Sequence, residues 1–534
     1  MGQATQGDQG SGIFAPLRRR LFRAVWVANL VTNFGWLIQG VGAAWLMTQL
    51  DPSPEMVALV QAATQVPILL LSLVAGAAAD LWDRRSVLIV AQIWVLVSSF
   101  GLAALTWAGL TGPALLLLFT FSLGIGAALN SPAMQVVVRE LVPRRELASA
   151  VTINAVAFNL ARSVGPALGG VIVALAGPQA AFLINAVSCI GLLVVLIRLR
   201  RHVREPELPR ERVGGAIIAG LRYVRQTRPI QRTLVRGAVF GFGATAIPAL
   251  MPLIAREQLQ GGPTLFGILL GVFGIGALGG AFLIHPLRQR LGAEWMVTVL
   301  SGVFGGAALV LGLMPTLPVA LLALPLAGAA WLGSFSSFNI SVQLSSAVWV
   351  QARVMSLYQM AVFGMMALGS WAWGALAGEV GLPGALIGSG LWLLASLLLH
   401  LVFTLPGGQA PDLRPVPAWQ KPQPRLDFDP DEGPVMVLVE YRIAPGDART
   451  FAEAMEDVGH MRRRDGALRW QIYQDTADAE LWIEAFTVGS WLDHLRQAQR
   501  ATAADGAIEA RALRLHRGEG APPMRRLIHR THGA

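Results

Sequence analysis

Arg162 is the residue with the most chemistry to explain. It stands in the run NLARSVGPALGG, residues 159–170, inside a long apolar stretch, where a cation is costly and normally faces a cavity, a partner or an anionic ligand. Contact with an acidic substrate, a structural ion pair and a clamp on backbone carbonyls are all open to it. In the same run Pro166 has no amide hydrogen to give and would free the carbonyl of Arg162, while Gly165 and Gly169, followed by Gly170, offer a small-residue face to another helix. A second group is GAAADLWDRR, residues 76–85. Here Gly76 lets a neighbouring helix come close, Asp80 at a membrane boundary can face a helix N-terminus or pair with Arg84 or Arg85, and Asp83 adds another carboxylate. Asn29, Thr32, Asn33, Gln39, Asn130, Asn154 and Asn159 are uncharged polar groups among apolar neighbours, suited to lining a cavity or to bonding between helices.

Those groups sit in a chain that needs lipid. Of 534 residues, 54% are hydrophobic and 14% charged, and the mean hydropathy is +0.54, too apolar for a water-soluble core. Crossing hydrocarbon takes about 20 apolar helical residues. That template predicts helices over residues 21–49, 55–79, 86–109, 113–138, 146–176 and 178–198, then 230–255, 264–287, 294–313, 317–346, 351–379 and 383–405. The fold class is therefore all-α and polytopic, with twelve transmembrane helices in two six-helix halves. Arginines 18, 19, 20, 84, 85, 144, 145, 288, 290 and 353 fall in loops on one side, against Arg256 on the other. The positive-inside bias puts both termini and the middle loop in the cytoplasm of a cell (inner) membrane protein. The same placement turns a net charge of +10 into a statement about topology and excludes nucleic acid as partner. The single cysteine, Cys189, permits no internal disulfide.

The predicted organisation is an N-terminal segment (1–20), a first half (21–198), a basic connector (199–229), a second half (230–405), a Pro-rich linker (406–432) and a soluble domain (433–534). The connector holds an amphipathic helix near residues 213–226 that can dip into headgroups. In the soluble domain, strands at VMVLVEYRI, RWQIYQD and ELWIEAFTV, a helix over 446–464 and helical sequence from Ser490 to Leu515 suggest a small α+β ferredoxin-like unit.

GAAADLWDRR resembles the loop signature of the major facilitator superfamily, with Leu81 where that family usually has a basic residue and Asp83 where it usually has Gly. The resemblance implies that Gly76, Asp80, Asp83, Arg84 and Arg85 form a cytoplasmic gate. NLARSVGPALGG is similar to the Gly-Pro motif of exporters in that superfamily, and GILLGVFGIGALGG, residues 267–280, offers a matching face. The family analogy sets those two helices against each other between the halves. Asn130 and Pro132 in LNSPA, Val142, Pro143, Asn154, Arg353 and Tyr358 narrow the resemblance to the enterobactin-exporter-like branch, also described as transmembrane secretion effectors. Membership of that branch implies a proton-driven exporter of a small amphipathic compound, a siderophore, drug or secondary metabolite, working by alternating access.

No coupling carboxylate is visible: Glu257 and Glu379 fall near the outer face, and His285 and His400 at helix ends. The absence of GxxxxGK[ST] argues against an ATP-driven pump. No metal site, cofactor or catalytic residue is expected. The soluble domain resembles the small monooxygenase-like fold, whose members often pair, so a dimer through it is one expectation. His460, Trp470, Tyr473, Trp482, Trp491 and His494 would line any pocket there, although aromatics of this spacing more often fill cores. The rival readings are an importer of the same fold and a membrane-anchored enzyme using this domain.

Overall fold

The computed structural model describes residues 14–81, 84–143, 146–198, 213–405, 411–416 and 424–530. It divides into two compact units. The first comprises Met1–Arg210, Arg232–Asn339 and Ser356–Gly407, and the second Glu211–Gln231, Ile340–Met355 and Gly408–Ala534.

The first unit opens with α1 (Arg20–Leu50), α2 (Pro54–Leu81), α3 (Arg84–Trp107), α4 (Pro113–Glu140), α5 (Leu147–Ala176) and α6 (Pro178–Arg198). After α7 (Val213–Gln226), which belongs to the second unit, come α8 (Arg228–Ala244), α9 (Ala246–Leu253), α10 (Pro263–Leu313), α11 (Leu317–Leu344) and α12 (Gln351–Ala395). Among the described residues 11 stretches are long and apolar enough to cross a membrane. The count falls short of twelve because residues 351–401 run as one 51-residue stretch. Its path is nevertheless broken at Gly381, whose φ of 81° and ψ of 165° leave helical space, and α10 breaks in the same way at Gly292, with φ 75° and ψ 169°. Only glycine takes that conformation without a steric penalty. The expected seventh helix is also in two parts: α8 and α9 meet at Thr245, and a π-turn over Ile254–Gln258 closes the stretch.

Packing in this unit follows the small residues. α1 lies against α5 and α6, α2 against α4, α3 against α4 and α6, and α10 against α5. One core cluster joins both halves of the sequence, with Met47, Leu102, Leu116 and Phe182 meeting Leu250, Leu253 and Trp373.

In the second unit β1 (Val435–Arg442), β2 (Arg469–Gln474), β3 (Leu481–Val488) and β4 (Met524–Ile528) form an antiparallel sheet in the order β2-β3-β1-β4. Along β1, Val435, Val437, Val439 and Tyr441 point into the core beside Phe451 and Met455 of α13 (Ala448–Asp465), the alternation expected of a sheet covered on one face. The helical sequence after Ser490 is two helices, α14 (Trp491–Arg500) and α15 (Ala503–Leu513). Ala501 and Thr502 are extended, and a capping box between Thr502 and Asp505 starts the second helix, which is why the run breaks there.

This unit also takes in α7 and the loop between α11 and α12. The Tyr223 hydroxyl of α7 accepts from the Ala347 amide at 3.1 Å. Its ring meets Trp349 edge-on at 5.8 Å and carries the Arg464 guanidinium at 5.4 Å.

Candidate functional site

The seam between the sequence halves is backbone on backbone. A methyl group on Gly170 would stand 2.6 Å from the Pro263 carbonyl oxygen and 2.8 Å from Cα of Gly267, and one on Gly267 would stand 2.7 Å from the Pro166 carbonyl oxygen. One on Gly274 would lie 2.7 Å from the carbonyl oxygen of Arg162, the group that Pro166 leaves without an intrahelical donor. Gly165 and Gly169 do not share this contact. They face α1, where added methyls would meet Leu37 Cβ at 3.1 Å and Ile38 Cα at 3.1 Å. The small face anticipated for the seam is thus split, Gly170 turning to α10 and the Gly165/Gly169 pair to α1.

Arg162, half-way along the 30 residues of α5, is half-buried. Its guanidinium carbon lies 5.8 Å from the centroid of Trp331 on α11, and among the described residues it has no carboxylate partner. Trp331 was not anticipated. Its ring is packed by Phe335 at 4.8 Å, Phe273 at 6.0 Å and Phe304 at 6.1 Å. One turn along α11, Ser334 is wholly buried and its hydroxyl has no partner.

The uncharged polar set divides differently. Gln39 accepts from Ser99 at 3.0 Å and from Asn185, which also donates to Ser99 at 2.9 Å, a closed buried triangle of α1, α3 and α6. Thr32 donates to the carbonyls of Ala28 and Ser188 at 3.0 and 3.2 Å, and Asn130 accepts from Gln92 at 3.0 Å. Asn29 reaches Asn154 at 3.5 Å. Asn33 is half-buried, and the Asn159 side chain lies outside the described residues. Asn185, Ser99 and Gln92 were missed. Each lies within a mainly apolar run, and only the three-dimensional neighbour reveals its use.

Of the gate residues, Gly76 and Asp80 fall within α2 and Arg84 begins α3, the side chains of Asp80 and Arg84 lying outside the described set, as does Asp83 altogether. Arg85 donates to the carbonyls of Leu196 and Ile197 at 2.7 and 2.6 Å, capping the C-terminal end of α6 with a cation. A comparable tie in the second half went unread. Glu294, just past the Gly292 break, accepts from Arg236 of α8 and, at 2.6 Å, from the Leu405 amide.

In the second unit the polar core is organised around Glu484, which is wholly buried. It accepts from Arg462 Nε at 3.0 Å, Trp470 Nε1 at 3.0 Å and the Tyr441 hydroxyl at 3.3 Å, and Arg462 also pairs with Glu509 at 2.8 Å. Against the pull of burial, the two carboxylates hold the guanidinium above its ordinary pKa. His494 accepts from Arg526 at 2.9 Å, and burial, reinforced by the charges of Arg526 and Arg462, pushes it down to about 4. The expected ring set is dispersed. Trp470 serves Glu484, Trp482 packs on Phe451, Trp491 on Phe428 and His494, Tyr473 is exposed on the other face of the sheet, and His460 reaches Gln226 of α7 at 3.4 Å. Among the described residues no group of His, Cys, Asp or Glu could hold a metal.

Comparison with known proteins places this architecture. The profile described as transmembrane secretion effector matches residues 11–533. The chain belongs to the transmembrane secretion effector family. Among similar members of the curated proteins, the multidrug efflux pump Tap of Mycobacterium tuberculosis (strain ATCC 25618 / H37Rv) is 26% identical over 407 residues, 73% of this chain and 94% of that one. The enterobactin exporter EntS of Salmonella choleraesuis (strain SC-B67) is 27% identical over 325 residues, 59% of this chain and 75% of that one. A bacterial homologue of the human lysosomal transporter Spinster, in an inward-facing unoccupied conformation, superposes with a TM-score of 0.56 over 74% of this chain and 96% of its own, at 15% identity. This secretion effector is therefore a multi-pass membrane transporter of the major facilitator type and not an enzyme.

Proposed function

We propose that the protein is a proton-driven exporter of a small amphipathic compound, working by alternating access. The observation that carries the reading is the contact of Gly170 with Gly267, where α5 and α10 meet with no side chain between them. A seam of that kind lets one half rock on the other without prising side chains apart. The relatives support export as the direction, one named a multidrug efflux pump and another an enterobactin exporter. On this reading residues 351–401 make two crossings that turn at Gly381, giving twelve, and the arginine-rich loops and both termini are cytoplasmic. Gly76, Asp80, Asp83, Arg84 and Arg85 then form the cytoplasmic gate, with the Arg85 clamp on the end of α6 as its anchor.

The test is flux of the aromatic anion 2-naphthalenesulfonate in inside-out membrane vesicles from cells with and without the protein. Energising the vesicles should drive the sulfonate inward in the protein-containing set alone, and a protonophore should abolish the uptake. Uptake that survives the protonophore would remove proton drive, and movement in the opposite sense would make the protein an importer.

A further inference from the structure

We propose that Arg162, Trp331 and Ser334 form a binding site for an organic anion that carries an aromatic ring, and that such anions are the transporter's substrate class. The inference rests on the transport reading above and adds the chemistry of what is carried.

Arg162 sits about 21 Å from either end of α5 at 1.5 Å per residue, farther than its side chain can reach toward a membrane surface. Snorkelling, the usual relief for such a cation, is closed to it. Pairing is closed as well, since among the described residues it faces no carboxylate. Its contact with the Trp331 ring, at 5.8 Å, lies near the outer limit of about 6 Å for a cation–π pair. An anion brought from outside the chain is the remaining complement, and it would bind where the positive charge is otherwise uncompensated.

Trp331 supplies the second half of the recognition. A flat ring held by Phe335, Phe273 and Phe304 is a rigid surface on which an aromatic body can stack. Ser334, one turn on along the same face of α11, adds a buried hydroxyl that lacks a partner and can bond a polar substituent or the anionic group itself. A cation would be repelled by Arg162, and a neutral compound would leave it uncompensated. The cation comes from the first half of the sequence and the ring and hydroxyl from the second, so one ligand would bridge the two halves, the arrangement through which substrate can bias their relative movement.

The experiment is equilibrium binding of 2-naphthoate and of its uncharged analogue 2-naphthamide to the purified full-length protein, followed by flux of both in proteoliposomes. Wild type is expected to bind the naphthoate at least tenfold more tightly. Arg162→Gln should erase that preference while leaving naphthamide binding unchanged, which also reports that the variant is folded. Trp331→Leu should weaken both ligands about tenfold and keep the preference. Equal binding by wild type, no binding of either ligand, or a preference that survives Arg162→Gln overturns the site. The preference with no flux would sink the transport reading alone, and flux without the preference would sink the site alone.

Discussion

The guanidinium of Arg500 lies 4.5 Å from the centroid of the Trp349 ring. Arg500 ends α14 and also donates to the Asp465 carbonyl at 2.6 Å, while Trp349 stands in the loop between α11 and α12 and meets Tyr223 of α7 edge-on. One aromatic ring thus ties the connector helix and that loop to the helices of the C-terminal domain. A desolvated cation–π contact is worth about 2 kcal/mol. Trp349→Ala should therefore raise hydrogen exchange in α7 and in residues 345–350 of the intact protein, read by mass spectrometry. Unchanged protection of both segments would show the ring to be idle.

The glycines of α5 should differ in tolerance. At Gly170 an added methyl meets backbone of α10 at 2.6 Å, which cannot yield without moving a helix, whereas at Gly165 the nearest atom, Leu37 Cβ, stands at 3.1 Å, and a small relaxation relieves the contact. Overpacking a tight contact costs about 1–3 kcal/mol. Gly170→Ala is expected to cut 2-naphthalenesulfonate transport at least tenfold with membrane levels preserved, and Gly165→Ala to keep most of it. Equal loss in both variants would contradict this division of the motif.

Glu484 should prove the most sensitive carboxylate of the C-terminal domain. Its removal as Glu484→Leu leaves Arg462 with Glu509 alone and strips Trp470 and Tyr441 of their acceptor. Breaking such a buried pair costs about 3 kcal/mol, and replacing both partners by apolar groups recovers much of it. Exchange protection of β1 and β3 in the full-length protein should fall in Glu484→Leu and partly return when Arg462→Met is added. A double variant no better than the single one would refute the buried-charge account.

His494 should make the same domain acid-sensitive. Its folded pKa of about 4 lies below the ordinary 6.5 because burial disfavours the charged ring and Arg526 and Arg462 repel it. As pH falls, the unfolded chain takes the proton first. The stability held above pH 6.5 is thus lost progressively down to pH 4, by roughly 3 kcal/mol for the full shift. His494→Gln should flatten that slope in exchange measured at pH 7, 6 and 5, and an unaltered slope would assign the sensitivity elsewhere.

Much of the membrane part was legible because hydropathy and glycine punctuation report directly on spanning helices. Gly292 and Gly381 fall where the sequence separates the eighth from the ninth helix and the eleventh from the twelfth. The Gly-Pro run was legible as a contact, but its direction was not: which glycine faces which helix depends on rotation about α5, and 165, 169 and 170 are too close in sequence to tell apart. Trp331 was invisible beside many other tryptophans until Arg162 lay next to it. Gln39 and Thr32 look like cavity groups in sequence, yet their bonds to Asn185, Ser99 and Ser188 are internal. The break at Thr502 was readable in principle, since a Thr followed three residues later by Asp is a capping signal.

The second unit is sewn from three distant stretches of chain, Glu211–Gln231, Ile340–Met355 and Gly408–Ala534. During synthesis Tyr223 leaves the ribosome some 300 residues before β4, which supplies the last strand beside β1. A polypeptide ending near residue 405 would carry its transmembrane helices and still present Tyr223 and Trp349 without the arginines that cover them. The two rings thus gain their cationic cover in sequence, Tyr223 once Arg464 has been made and Trp349 only once Arg500 at the end of α14 has followed it.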